Sequence, residues 1–229
     1  MLVKCIVPTS NSRLSKQRVH PPNTTMPNYK LTYFNVKYRP EITRLMLVAS
    51  GTDFEDCRVN DLTELKAGGK LPLGQVPIFE VDGRLIVQSR AIQRYVAREL
   101  GFYGTTNDEQ TEIDQVTETF GDILDSSAPW LYREKDLTKR AEIRKEFEEV
   151  KGPMLFGFLE KKLEASSSGY FVGDSLTLAD FAVFNGVDIV GGHMPDLFKP
   201  FPKLLEHKAK IEGNERIAKY LATRPKTQM

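Results

Sequence analysis

Cysteine is scarce: Cys5 and Cys57 are the only two in 229 residues. That excludes a secreted disulfide scaffold, and no Cys-x-x-Cys pair is present for redox or zinc chemistry. The three histidines, His20, His193 and His207, lie far apart without metal-ligand spacing. No apolar run approaches the roughly 20 residues a membrane span requires. An excess of one charge is also missing. Lys and Arg total 32 against 31 Asp and Glu, for a formal net charge of +1. That balance argues against a nucleic-acid footprint or a polybasic membrane patch. What remains is 40% hydrophobic and 28% charged, close to an average soluble globular protein. A cytoplasmic protein kept in reducing conditions is the expectation. A chain this long makes one large or two small domains. It can bury about 70% of its unfolded surface, so neither disulfide nor metal is needed to hold a core.

Residues 1–25 differ from the rest. They hold Lys4, Arg13, Lys16 and Arg18, no acidic residue, and Pro21-Pro22. A disordered extension, sequence upstream of a start at Met26, and a targeting segment all fit that composition. Met1-Leu2-Val3 is too short to be the apolar core of a signal peptide.

From Met26 the pattern becomes ordered. Tyr29–Phe34 alternates and is rich in β formers, which predicts a strand. Ile42, Leu45, Met46 and Val48 recur at helical spacing until Gly51. A short strand follows over Phe54–Val59, then a loop with Gly68, Gly69, Pro72 and Gly74. Val76–Val81 and Leu85–Val87 flank Asp82-Gly83 as a hairpin. Ser89 is expected to cap a helix running to Leu100. Everything after the Gly101–Asn107 connection reads as helical: Asp108–Leu124, a charged stretch Thr138–Leu163 bent at Gly152-Pro153, an apolar stretch Thr177–Val190, Pro202–Ile211 and Asn214–Thr223. The fold class is therefore a small α/β domain followed by an all-α domain.

Several residues carry chemistry beside a plain structural reading. Tyr33 ends the first strand, where a hydroxyl can donate to a thiolate and lower the thiol pKa; taken alone, an aromatic in a strand is more often core material. Pro77 is either an ordinary trans proline at a strand start or a cis residue that turns the Val76 backbone outward toward an extended ligand. Gln88 and Ser89 open a helix whose free N–H groups suit a carboxylate, or form a plain cap. Arg39 and Lys66 supply positive charge nearby, or are simply solvated. Thr177-Leu178-Ala179-Asp180 is a structural capping box. Cys57 and the histidines read as non-catalytic.

The β-α-β-loop-β-β-α order, Val76-Pro77, Gln88-Ser89 and the Thr177–Asp180 box together resemble the cytosolic glutathione S-transferases. Met26–Asn35 is similar to the start of the sigma class, which includes detoxifying transferases, prostaglandin D synthases and lens S-crystallins. The resemblance implies a thioredoxin-like domain over 26–104 and a helical domain over 106–229, assembled as a homodimer, with glutathione as co-substrate and no metal. It implies that Tyr33 hydrogen-bonds the glutathione sulfur. Arg39, Lys66, Gly74, Gln75, Val76, Pro77, Gln88 and Ser89 would hold glutathione, together with Glu118 from the partner subunit, or Asp122 one turn on. Phe34, Leu124 and Trp130 would wall the electrophile pocket. The implied activity is conjugation of apolar electrophiles, with peroxidase or isomerase activity at the same site. A dedicated prostaglandin D synthase and a non-catalytic, crystallin-like binding protein are the alternatives.

Departures from the pattern carry expectations of their own. Leu62 stands where many sigma members have a tryptophan that bonds glutathione. Tyr38 and Pro40 flank Arg39 where small residues are commoner, which would reshape the electrophile entrance. Gly121 interrupts the acidic cluster that binds a divalent cation in the prostaglandin enzymes. Ala182 and Gly186 replace larger side chains, which suggests a wider pocket.

Overall fold

The computed structural model describes residues 4–6 and 27–227. Residues 4–6 form strand β1 (Lys4–Ile6) at a sheet edge, and the rest of the N-terminal extension lies outside the described residues. The α/β part then runs β2 (Tyr29–Phe34), α1 (Glu41–Ser50), β3 (Glu55–Val59), α2 (Thr63–Ala67), β4 (Ile78–Val81), β5 (Arg84–Val87) and α3 (Ser89–Leu100). The strand order is β1-β3-β2-β4-β5. Strands β2 and β3 are parallel, with Tyr33 opposite Arg58; the other pairs are antiparallel. This is a thioredoxin-like domain. Asp82 at φ 50° and Gly83 at φ 83° make the expected tight hairpin turn between β4 and β5.

Helices fill the rest: α4 (Asn107–Ala128), α5 (Leu137–Glu146), α6 (Gly152–Glu164), α7 (Leu178–His193), α8 (Pro202–Glu212) and α9 (Glu215–Thr223). Two π-helical turns interrupt them, Pro129–Arg133 after α4 and Phe147–Lys151 between α5 and α6. The bend expected at Gly152-Pro153 falls where the π turn passes into α6, with Pro153 in the first turn of that helix. Helix α7 is apolar all round and lies at the centre, packed on α4, α8 and, across the two parts, α1. Its capping box is present: the buried Asp180 carboxylate accepts from the Thr177 N–H at 2.8 Å and hydroxyl at 2.8 Å, and from the Phe171 N–H at 3.0 Å. One continuous core joins Leu31, Ile42 and Phe79 of the sheet domain to Phe156, Phe181 and Phe184 of the helices.

Candidate active site

Strand β2 ends at Tyr33 and Phe34 on the wall of a cleft of about 320 Å³. Its lining comes from four loops of the α/β part and from the turn after α4, and most of the expected residues meet there: Tyr33, Phe34 and Arg39 from the β2 side, Gly74 to Pro77 before β4, and Gln88 and Ser89 after β5. Leu62, just before α2, lines it too. The Val76–Pro77 bond is cis. Strand β4 begins only at Ile78, whose β2 partner is Thr32, so the Val76 backbone stands outside both ladders and faces the cleft region. Gly74 precedes it at φ 66°, a turn conformation that favours glycine.

Ser89 is the first helical residue of α3, and it makes no capping bond. The cap position is Gln88, at φ 72° and ψ 112°. A non-glycine residue rarely holds that conformation, so local strain is concentrated on the cleft wall. The arrangement leaves the N–H groups of the first α3 turn directed outward from the helix end, suited to an anion.

Tyr33 is buried, at 8% exposure, with its ring edge-on to Phe34 at 5.6 Å. Burial first, then the neighbouring Tyr132, push its pKa up to about 12, while Arg39 and Arg44 pull it down. The hydroxyl is therefore a donor at neutral pH. The positive charge of Arg39 is felt at that hydroxyl, and an anion placed there would feel it as well.

The remaining expectations fall elsewhere. Lys66 stands exposed on α2, outside the cleft lining. Glu118 is clamped by its own chain, with Arg90 at 2.8 Å and Arg94 closer still, whereas Asp122 is exposed and makes no ion pair among the described residues. Leu124 is buried; its carbonyl accepts from the Tyr38 hydroxyl at 3.0 Å. Trp130 does not line the cleft. The π turn directs it inward against Phe147 and His193, beneath the Arg144 guanidinium. Tyr132 and Arg133, which the sequence reading missed, take the place beside Tyr33 and Arg39. Tyr38 is buried and braces Tyr132 edge-on at 5.4 Å, so it shapes the entrance through that ring. Ala182 and Gly186 do not widen the cleft: both are buried in α7, and a Cβ on Gly186 would meet Phe120 at 3.1 Å. Among the described residues no cluster of three metal-ligating side chains occurs.

Comparison with known proteins identifies the family. The family model described as glutathione S-transferase, N-terminal domain, matches residues 29–98, and that for the C-terminal domain matches 121–224. Hematopoietic prostaglandin D synthase of Gallus gallus is 37% identical over 205 residues, covering 88% of this chain and 99% of its own. Glutathione S-transferase 3 of Caenorhabditis elegans is 36% identical over 208 residues, covering 89% and 100%. The solved structure of a Nu-class transferase from Haemonchus contortus superposes with a TM-score of 0.79 at 35% identity, covering 89% and 100%. Fold, cleft and relatives coincide, and the chain belongs to the glutathione S-transferase family, enzymes that use glutathione as co-substrate.

Proposed function

We propose that the chain is a cytoplasmic, sigma-class transferase that conjugates glutathione to apolar electrophiles as a homodimer. The observation that carries this is the buried Tyr33 hydroxyl, protonated far above neutral pH and facing a cleft with Arg39 beside it. A hydrogen bond from a phenol to a thiolate stabilises the anion and lowers the thiol pKa. The thiol proton then leaves to solvent, the sulfur forms a bond to carbon, and the leaving group departs with the bonding pair.

The rest of the cleft supports the same assignment. The free Val76 backbone can pair with the extended tripeptide. Gln88, Ser89 and the α3 N-terminus suit the γ-glutamyl carboxylate. The resemblance implies that Gln75, which lines the cleft, and Lys66, which does not, serve the glycyl end. Of the two acids on the α4 face, Asp122 has the free carboxylate, so it, rather than the doubly clamped Glu118, is the better acceptor for a γ-glutamyl amine bound by the partner subunit. Tyr132 and Arg133 at the mouth favour electrophiles that carry acceptor oxygens.

The test is turnover of a chloronitrobenzene by wild type and Tyr33→Phe. The expected result is strong turnover that falls about 10–100-fold in the variant near pH 6.5, since a hydrogen bond to a charged group contributes about 1.5–3 kcal/mol. Equal turnover would show the hydroxyl to be dispensable. Glutathione binding with no turnover in either protein would favour the crystallin-like carrier instead.

A further inference from the structure

A line of charges leads away from the cleft along α3 and α4. Arg39 Nη2 donates to Asp125 Oδ1 at 2.8 Å. The second oxygen of Asp125 accepts from Arg90 Nη2 at 3.4 Å, and Arg90 Nη1 reaches Glu118 at 2.8 Å. Arg90 therefore bridges two acids two turns apart on α4. It can do so only because Gly121 lies between them: a Cβ there would stand 2.0 Å from Arg90 Nη2 and 2.6 Å from its Cζ. The gap that Gly121 leaves in the acidic face is filled by the chain's own guanidinium.

From this we propose that Asp125 is a positioning residue for Arg39, held in turn by Arg90 seated over Gly121. The proposal rests on the transferase reading of the cleft. Arg39 is fixed at its backbone, where its carbonyl accepts from Gln93 at 3.0 Å. Its side chain has Asp125 as its one hydrogen-bonded partner among the described residues, besides stacking near the Tyr38 ring at 5.7 Å. The charged and titratable groups facing it are Asp125, Tyr38, Tyr132 and Tyr33. Asp125 is 53% exposed, and a solvated pair of this kind adds little stability. Its effect is directional: it decides whether the guanidinium points along the cleft wall or swings into solvent.

Position and charge make opposite predictions. If Asp125 merely neutralised Arg39, removing the carboxylate would strengthen the positive field and lower the pKa of bound glutathione. If it positions Arg39, losing the contact weakens the field and raises that pKa. Asp125→Asn keeps an acceptor oxygen without the charge; Asp125→Ala keeps neither.

The experiment follows the thiolate absorbance of bound glutathione against pH in the full-length protein. Asp125→Ala is expected to raise the thiol pKa by about half to one unit, a roughly 3–10-fold loss of thiolate below that pKa. Asp125→Asn should stay near wild type. Gly121→Ala should shift the same way by less while its melting temperature holds or rises, since alanine is the better helix former. An unchanged Asp125→Ala profile, or a fall in both Asp125 variants, overturns the positioning role; an unchanged Gly121→Ala overturns the Arg90 seat. A wild type with no thiolate band refutes the transferase reading, and the relay with it.

Discussion

Glu41 opens α1 and is 1% exposed, an unpaired cost unless every acceptor site is used. Its Oε2 accepts from Arg44 Nη1 at 3.1 Å; its Oε1 accepts from Arg224 Nη1 at 2.8 Å and the Tyr220 hydroxyl at 3.1 Å. Arg224 and Tyr220 belong to the C-terminal segment, so one carboxylate ties the last helix to the first. Burial, then the Glu41 charge, drive the Tyr220 pKa far above its ordinary value. Removing one member of a buried ion pair typically costs about 3–5 kcal/mol, because the others are left buried and uncompensated. Here Arg44 keeps Asp56 at 3.0 Å and Arg224 keeps Asp188 at 2.9 Å. The expectation for Glu41→Ala is therefore the lower end, about 3 kcal/mol. At about 2–4 °C per kcal/mol for a protein of this size, the melting temperature should drop by about 6–12 °C. Glu41→Gln should cost less: one oxygen still serves Arg224 and Tyr220, while its amide faces Arg44 donor to donor. Urea unfolding with an unchanged m-value measures both. A loss below about 1 kcal/mol in Glu41→Ala would mean that water replaces the carboxylate and that the clamp reasoning fails.

Two other predictions test the far end of this ion-pair network and the packing of the π turn after α4. Burial would raise the Asp188 pKa, but Lys37 and Arg224 outweigh it and hold the pKa below the ordinary carboxylate value. Its stabilising contribution is thus complete above the unfolded pKa of about 3.9 and is lost as pH falls through the lower, folded value. Asp188→Asn should be less stable than wild type at pH 7, with the gap closing below about pH 4; a gap constant over that range would refute the assignment. Trp130 is the single tryptophan, 4% exposed and away from the cleft lining. Its emission maximum should stay in place when S-methylglutathione binds and shift to the red on unfolding; a shift on binding would return Trp130 to the cleft wall.

The elements that periodicity revealed are those with a sustained buried face. Strand β2 and helices α1, α3, α4 and α7 emerge within a few residues of their expected bounds, because each repeats apolar residues toward the shared core. Helix α2 was not visible: Thr63–Ala67 is barely a turn long and buries nothing, so it leaves no periodic trace. The π turns were invisible for a related reason. Extra residues are inserted into a helix without changing its composition, and only the face presented downstream reports them. After α4 this matters for the site. The turn at Pro129–Arg133 carries Trp130 into the core and Tyr132 to the cleft, so a residue-by-residue reading across it names Trp130 where the cleft lining holds Tyr132.

What pattern and resemblance could locate in the site were residues on the thioredoxin-like loops; what they could not locate was the material that holds those loops still. The segment between β2 and α1 shows why. The Val36 carbonyl accepts from Arg44 at 3.0 Å, and Lys37 pairs with Asp188 at 3.0 Å. The Tyr38 carbonyl accepts from Asn185 at 3.0 Å while its hydroxyl reaches the Leu124 carbonyl. Arg39 is held by Gln93 and Asp125. Four successive residues are thus tied to α1, α3, α4 and α7, and Asn185, Asp188, Leu124 and Asp125 lie in the helical part. Tyr38 even accepts a left-handed φ of 41° within this web. Electrostatic catalysis depends on donors and charges that do not reorganise as charge develops. In this chain the segment that leads from Tyr33 to Arg39 is held from both halves of the molecule, and the ties to Leu124, Asp125, Asn185 and Asp188 are too distant in sequence for any local pattern to name.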